Sequence, residues 1–475
     1  MVRSATLWAQ VWDWDVGLYL VVAREVVQGH LPYVTAWEYR PPGLFFLLGL
    51  GLAIFRSPGV TMAALGIIAV STTSLALYRT GRLFSTHGRI VGGLAAVLYA
   101  TISIEDDGLA TNTELLFAPF LCWAVYLVMR TGVSQKSFDD RLAVLVGFLL
   151  AGALQMKLMV VPEAAFVVLL AALWVRCDLR RCAIIVGVLL LPFAVEGVLY
   201  AARGHFAEFL DANALATMRR AGVATSAPRD NLQRILAQPW VLMPASLLVL
   251  VAAFASGKDR DRPGRALVAV LWVWLAVEIA TLLAVREFND HQFLQVLPPL
   301  VLLAAYGGTA LGAWLRAPRV VPAIIAIVAF GLHGYYQIVS AARLAYHRGL
   351  LHDAGWRGTH LDRIAERLRM VPIQERRVFV VSENPILYVL ADAPLPTRYP
   401  FSFYLTDAEM WPLTGVDGRV EVRRILAARP QYIVRSDSQF HVDPAVNALV
   451  WDALQRDYRP VATEEHATIF RRRGA

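Results

Sequence analysis

The sequence predicts an α-helical polytopic membrane protein that ends in a small extramembrane α/β domain. Its 475 residues are 57% hydrophobic and only 17% charged, and the mean hydropathy is +0.50, whereas soluble domains carry about 25% charged residues. Apolar runs long enough to cross a bilayer recur as far as residue 340, and mixed charge with short β-type runs follows. Together these three observations favour a membrane protein over a soluble one.

Ten apolar runs predict transmembrane helices, because about 17 to 25 apolar residues span the hydrocarbon core and shorter tilted or buried spans also occur. The runs are Val60–Tyr78, Ile90–Ile104, Leu115–Met129, Leu142–Met156, Leu158–Val175, Ala183–Tyr200, Trp240–Phe254, Ala266–Val285, Phe293–Leu315 and Val320–Ser340. A further stretch, Pro42–Phe55, is too short to span and is predicted to lie along the membrane interface.

Clusters of Lys and Arg between the runs predict the orientation of the chain. Loops rich in basic residues alternate with loops that hold mostly acidic ones, and the basic loops mark the cytoplasmic side. The net charge of +8 therefore indicates topology rather than a nucleic-acid surface, since the basic residues do not share one face. We expect a multi-pass protein of the bacterial inner (plasma) membrane with both termini on the periplasmic or extracellular side.

Two aspartates, Asp13 and Asp15, precede the first predicted span. The stretch Met1–Val11 lacks the apolar core of a signal peptide or of a membrane helix. We therefore expect one more helix upstream of these aspartates in the natural chain. The alternative is a short amino-terminal tail that crosses the membrane unaided.

Composition divides the chain into three segments. Residues 1–59 are predicted to form an outer loop with interfacial helices, residues 60–340 the transmembrane bundle, and residues 341–475 an outer α/β domain. In the last segment, RVFVVS, YIVRSD and ATIFRR predict strands, and GRVEVRRILAARP and VNALVWDALQRD predict helices. None of the three cysteines has the spacing of a zinc site or a disulfide framework.

Ionisable side chains from five chain segments are predicted at the outer membrane surface, where such groups are costly and indicate function. They are Asp13, Asp15, Arg40, Glu105, Asp106, Asp107, Glu114, Lys157, Glu163, Asp290 and His291. Carboxylates beside cations suit a reaction in which a hydroxyl or amine attacks while a phosphate leaves. The carboxylate orients or deprotonates the nucleophile, and Arg or Lys neutralises the charge on the leaving phosphate.

Four stretches in a fixed order carry a family resemblance. They are the opening DWD with WEYRPPGLFFLLG, then TNTELLFAPF, LQMKLMVVPE and DHQFLQVLPPL. They resemble motifs of the GT-C fold glycosyltransferases that use polyprenyl-phosphate sugars, in the bacterial branch similar to family 39 protein mannosyltransferases and lipid A aminoarabinose transferases. The resemblance covers most of the chain, and it implies a helix before the aspartates and an outer α/β domain after the last span.

The resemblance also implies roles for the residues of the first two motifs. Asp15 takes the place of the catalytic carboxylate in the first outer loop, with Asp13 beside it, and Glu114 takes that of a second carboxylate. Arg40 stands where relatives place Lys or Arg beside a proline pair, which implies a ligand for the lipid phosphate.

Further positions match less closely. Lys157 and His291 correspond to positions near the same phosphate or the sugar, and Asp106 and Asp107 are candidates to hold the acceptor or a cation. Relatives commonly have Glu where this chain has Val16, which removes one ligand for a metal or the acceptor. No cofactor is assigned, and dependence on a divalent metal ion is left open.

Each candidate also has a structural explanation. Asp13 could complement the dipole of a helix amino terminus, and Glu114 could cap the first turn of its helix. Arg40 and Lys157 could extend to the lipid headgroups. A lone histidine such as His291 is more often a structural residue than a ligand.

These observations predict a membrane glycosyltransferase that moves a hexosyl or pentosyl group from a polyprenyl-phosphate donor to a glycolipid, polysaccharide or protein acceptor outside the cell, with inversion. The alternative is a protein without transferase activity. It would be either a transporter of lipid-linked sugars or a non-catalytic relative that acts as a scaffold in envelope biogenesis. A transporter would place ionisable residues near the bilayer midplane, whereas here they gather at one face. The departure at Val16 keeps the non-catalytic alternative open.

Overall fold

A computed structural model describes most of the chain. The described residues are 3–7, 13–84, 87–104, 108–220, 245–255, 262–285, 288–335, 338–339, 342–343, 359–437 and 442–474. They group into two compact units. The helical unit falls within Met1–Trp8, Ala63–Glu196 and Ser226–Arg343, and the α/β unit within Ala9–Met62, Gly197–Thr225 and Leu344–Ala475.

Helices make up most of the described chain. In order they are α1 Trp14–Val27, α2 Pro42–Phe55, α3 Pro58–Gly81, α4 Gly88–Ile102, α5 Thr113–Ser134, α6 Asp140–Met156, α7 Val161–Trp174, α8 Leu179–Ala202, α9 Phe206–Leu210, α10 Ala216–Arg220, α11 Ala245–Ala255, α12 Arg262–Val285, α13 Leu297–Trp314, α14 Val320–Ala329, α15 His360–Arg369, α16 Ile386–Leu390, α17 Phe403–Thr406, α18 Trp411–Thr414, α19 Gly418–Ala427 and α20 Pro444–Asp457. Short 3-10 segments, Leu158–Val160 and Asp290–Val296, lead into α7 and α13.

The predicted spans all fall on helices where the structure describes them. Five stretches are long and apolar enough to cross a membrane: Pro58–Gly81, Thr113–Ser134, Leu179–Ala202, Gly264–Ala284 and Asp290–Trp314. The other five predicted spans fall on the shorter helices α4, α6, α7, α11 and α14. The stretch Pro42–Phe55 forms α2 with the predicted bounds, and Pro42 occupies its first turn, where a missing N–H costs nothing.

Small residues allow helices of the helical unit to pack closely. A methyl group at Gly81 would come 2.4 Å from the Cα of Gly92, which lies on the next helix. Such contacts between glycines let two backbones approach, and they are typical of helix packing in membranes.

The α/β unit contains a four-stranded sheet in the order β1-β2-β4-β3. Its strands are β1 Val378–Val381, β2 Tyr432–Ser436, β3 Tyr458–Glu464 and β4 Ala467–Arg472. Strands β1 and β2 are parallel, whereas β4 runs antiparallel to both β2 and β3. The three predicted strands are confirmed, as are the helices α19 and α20. Strand β3 was not predicted, because YRPVATE contains a proline and lacks an apolar alternation.

Helix α1 belongs to the α/β unit and is held there by its polar and small residues. The guanidinium of Arg24 donates hydrogen bonds to the carbonyl oxygens of Tyr388 and Ala393, at 2.5 and 2.9 Å. A methyl group at Gly17 would come 2.1 Å from the side-chain oxygen of Asn384. These contacts fix the helix that carries the two opening aspartates.

Candidate active site

The amino-terminal turn of α1 positions the opening aspartates. Asp13 precedes the helix with an extended backbone, and its side chain makes no capping hydrogen bond to the helix. Asp15 lies in the first turn, where a carboxylate complements the helix dipole. The hydroxyl of Tyr19, one turn further on, donates to Asp15 Oδ2 at 3.4 Å.

The structure brings Arg40 to Asp15. Nη2 of Arg40 lies 3.8 Å from Oδ2 of Asp15, and the two side chains are 10% and 31% exposed. The guanidinium also lies over the ring of Tyr39, 4.4 Å from its centre, an arrangement in which the face of the ring attracts a cation. Arg40 is therefore a buried and oriented cation, which contradicts the alternative of an arginine that extends to the headgroups.

Sequence reasoning missed a third member of this group, Glu38. Its carboxylate is almost fully buried, accepts a hydrogen bond of 2.6 Å from the hydroxyl of Tyr404, and lies 3.6 Å from Nη1 of Arg40. The available signal was its position two residues before Arg40, outside any helix. In the sequence, WEYRPP was interpreted only as a phosphate motif, and no counter-charge for Arg40 was predicted.

Burial raises the pKa of the Glu38 carboxyl from 4.5 to about 7, although Arg40 and the Tyr404 hydroxyl lower it. The nearby Asp15 carboxylate acts in the same direction as burial. Because the folded chain holds this proton to a higher pH than the unfolded chain does, the group lowers the free energy of unfolding as pH rises from 4.5 to about 7. Glu38 can thus change charge near neutral pH beside the arginine.

In the helical unit, Glu114 and Lys157 form one buried ion pair. Glu114 lies in the first turn of α5, and Lys157 ends α6 with an extended backbone. Lys157 Nζ lies 2.5 Å from Glu114 Oε1, and both side chains are at most 2% exposed. Oε2 of Glu114 accepts a hydrogen bond from the hydroxyl of Thr113 at 3.2 Å. Lys157 therefore does not extend to the headgroups, contrary to the structural alternative.

His291 also belongs to this cluster. It lies in the 3-10 segment before α13, is 7% exposed, and lies close enough to Glu114 for the two to interact electrostatically. Asp106 and Asp107 lie outside the described residues. Val16 is fully buried within α1, so a glutamate at that position would be placed in the core of the α/β unit.

Comparisons with known proteins agree with the motifs. The sequence model of the dolichyl-phosphate-mannose-protein mannosyltransferase family matches residues 39–200, which include Arg40, Glu114 and Lys157. A comparison with curated proteins finds no match.

Solved structures match over nearly the whole chain. ArnT from Cupriavidus metallidurans bound to undecaprenyl phosphate is similar with a TM-score of 0.62 and 14% identity, over 99% of this chain and 95% of that one. AglB from Archaeoglobus fulgidus, in complex with an inhibitory peptide and a dolichol-phosphate, is similar with a TM-score of 0.52 and 11% identity. The match covers 92% of this chain and 68% of that one. The arabinofuranosyltransferase AftD from mycobacteria is similar with a TM-score of 0.53 and 14% identity, over 99% of this chain and 38% of that one.

The chain therefore has the fold of the GT-C glycosyltransferases, a class of multi-pass membrane proteins. Within that class, the resemblance to the dolichyl-phosphate-mannose-protein mannosyltransferases and to ArnT, which the four motifs indicated, is confirmed.

Proposed function

We propose that this protein is a membrane glycosyltransferase that moves a hexosyl or pentosyl group from a polyprenyl-phosphate donor to an acceptor on the outer face of the bacterial inner membrane. The contact of 3.8 Å between Asp15 and Arg40 carries the proposal. It pairs a carboxylate for the attacking group with a cation for the leaving phosphate. Support comes from the similarity to ArnT, whose structure holds undecaprenyl phosphate.

In the proposed reaction, Asp15 accepts the proton of an acceptor hydroxyl or amine as that group attacks the anomeric carbon. Attack from the face opposite the phosphate breaks the bond between the anomeric carbon and the phosphate oxygen and inverts the configuration. The guanidinium of Arg40 stabilises the negative charge of the departing phosphate, because its N–H groups can bind two phosphate oxygens at once. Asp13, beside the base, helps to orient the acceptor.

The helical unit has its own cluster of polar side chains, Glu114, Lys157 and His291. The ammonium of Lys157 has three N–H groups and gives one of them to Glu114, so the other two can bind phosphate or sugar oxygens. His291 can add a donor or an acceptor, according to its tautomer. We propose that Glu114 sets the position of Lys157 and limits the net charge of this cluster.

Glu38 is expected to make donor binding depend on pH. Below pH 7 its carboxyl is mostly neutral, so an incoming phosphate competes only with Asp15 for Arg40. Above that pH the Glu38 carboxylate competes as well, and the KM for the donor should rise. We expect the Glu38→Gln variant, which retains an acceptor for Tyr404, to lose this rise when KM is measured on both sides of pH 7. An equal pH dependence in the two proteins would contradict this role.

The overall function is testable in cells with and without the gene, by mass spectrometry of envelope glycolipids, polysaccharides and glycoproteins. We expect one species to lose a single sugar mass on deletion and to regain it with the wild-type gene. That result would name both the sugar and the acceptor. Unchanged profiles in every fraction would overturn the proposal and favour a non-catalytic scaffold.

A transporter of lipid-linked sugars could also change the envelope, so purified protein must separate the two activities. A transferase in detergent converts the donor to polyprenyl phosphate when the acceptor is present, whereas a transporter leaves the donor intact. Donor consumption that requires both the acceptor and the protein is the result we expect.

A further inference from the structure

The α/β unit contains a second group of ionisable side chains, separate from the residues proposed for catalysis. It consists of His360, Glu383 and His466, and one ligand atom of each lies within 4.8 Å of the others. The three residues come from distant parts of the sequence and belong to none of the four motifs. A local pattern in the sequence could not have indicated them.

The sheet topology explains why two of these residues meet. Strands β1 and β2 are parallel, so their carboxyl ends lie at the same edge of the sheet. Glu383 follows the end of β1 by two residues. The last residue of β2 pairs with Ala467, the first residue of β4, which places the preceding His466 at the same edge. The carbonyl oxygen of His466 also accepts a hydrogen bond of 2.8 Å from the backbone N–H of Asp437.

The third residue, His360, is the first residue of α15, which begins with a capping box formed by Thr359 and Asp362. Its Nδ1 lies 3.5 Å from a carboxylate oxygen of Glu465. The other ring nitrogen, Nε2, faces Glu383. A carboxylate behind a histidine is the usual arrangement in metal sites, because it orients the ring and favours a lone pair on the opposite nitrogen.

The distances between ligand atoms fit a metal ion. Oε2 of Glu383 lies 3.4 Å from Nε2 of His360 and 3.3 Å from Nε2 of His466. Zinc binds histidine nitrogen and carboxylate oxygen at about 2.0 to 2.2 Å in tetrahedral sites, and two ligand atoms at that radius are about 3.3 Å apart. The two distances to Glu383 therefore fit a tetrahedral ion, and the two histidine nitrogens lie within 4.8 Å of each other.

The group also has unsatisfied polar atoms. Oε1 of Glu383 accepts a hydrogen bond of 2.8 Å from the backbone N–H of Asn384, but Oε2 of this buried residue has no hydrogen-bond partner. Nε2 of His360 is also buried without one. Buried polar atoms without partners are rare in folded proteins, and a bound ion is one recognised explanation.

Protonation of both histidines would be a different way to balance Glu383. The two imidazole rings, however, lie with their centres 4.4 Å apart. Two positive rings at that distance repel each other, and the carboxylates of Glu383 and Glu465 offset only part of this repulsion. A bound cation with two neutral histidines avoids this repulsion.

We propose that His360, Glu383 and His466 bind a divalent transition-metal ion, for which Zn²⁺ is the best match. Two imidazole nitrogens and one carboxylate oxygen are ligands that zinc accepts, with a water or an external ligand in the fourth position. The side chain of His466 is 45% exposed, which gives the ion a route from solvent. The bound ion ties the start of α15 and the β3–β4 turn to the end of β1.

Metal counts on purified full-length protein test this site. The protein is stripped with a chelator, dialysed against Zn²⁺ and measured by elemental mass spectrometry, for wild type, His466→Ala and Glu383→Gln. We expect each variant to hold one zinc fewer per chain than wild type. Zinc should also raise the Tm of wild type by several degrees and leave the Tm of both variants unchanged. Equal zinc contents in all three proteins would overturn the site.

The matched control is His205→Ala. His205 lies 3.3 Å from Glu208, the same contact as in the proposed site, but this pair belongs to no group of three ligand side chains within the described residues. Its zinc content should equal that of wild type.

Cobalt substitution provides a measurement that does not depend on how well a variant folds. Co²⁺ in a tetrahedral site absorbs visible light far more strongly than Co²⁺ in water. We expect stripped wild type to develop this absorption with one equivalent of Co²⁺, and His466→Ala to lack it. Wild type without such a band would contradict the proposed geometry, whatever the behaviour of the variants. Sugar transfer is assayed in parallel, and its loss or survival does not bear on the metal site.

Discussion

The Asp15→Asn variant is expected to fold normally and to lose nearly all sugar transfer. Asparagine has the shape of aspartate but cannot accept the proton of the acceptor, and a general base contributes about 100- to 10,000-fold to such a step. The loss should appear in kcat. The KM for the donor should not rise, because Arg40 keeps its contact with the ring of Tyr39 and the variant has no carboxylate at position 15 to compete with the phosphate. The measurement is turnover by purified protein with the donor and the acceptor that mass spectrometry identifies.

Two further variants make this test specific. Asp437→Asn changes an exposed carboxylate of the same unit, 72% exposed and 3.3 Å from Arg435, and should transfer sugar at the wild-type rate. Asp13→Asn determines whether the neighbouring carboxylate shares the work of Asp15. Wild-type turnover by Asp15→Asn would remove Asp15 from the proposed mechanism.

The second large effect is expected from Lys157→Met. This change leaves the Glu114 carboxylate buried without its cation, and removing one partner of a buried pair costs about 3 to 5 kcal/mol. The double variant Glu114→Gln/Lys157→Met removes both charges together and should recover much of the lost stability. Denaturant or thermal unfolding of the purified proteins measures these differences.

Activity of the double variant separates a structural pair from a functional one. If the pair only holds the helices together, the double variant should transfer sugar as it regains stability. We expect instead a folded but inactive protein, because Lys157 would no longer bind phosphate or sugar oxygens. The exposed pair Arg180 and Asp140, at 2.7 Å, is the control, since losing such a surface pair costs about 0 to 1 kcal/mol. Unchanged stability of Lys157→Met would contradict a buried ion pair between Lys157 and Glu114.

Local sequence patterns were sufficient for much of the fold. Long apolar runs fixed the positions of helices such as α3, α5 and α8, because a span must be apolar over its whole length. Runs of β-branched residues located β1, β2 and β4 for a similar reason. Strand β3 was not predicted, because its residues are mostly exposed and its pairing with β4 depends on tertiary context.

The candidate site was only partly predictable. The order of the motifs predicted Asp15 and Arg40 as site residues, and the structure places them in contact. Sequence reasoning gave Glu114 and Lys157 separate roles, whereas the structure pairs them across 43 residues of chain. Such pairings depend on how helices pack, and one sequence does not contain that information. Glu38 was missed because its importance comes from burial rather than from its neighbours in sequence.

Strand β3 also affects how the molecules behave at high concentration. It forms one side of the sheet, and its pairing shifts register between Pro460 and Ala462. A proline lacks the N–H that a new strand would need, and a bulge twists the backbone away from flat pairing. This border is therefore a poor template for a strand from a second molecule. Self-association through β3 is disfavoured, which protects the α/β unit against aggregation when the protein is concentrated.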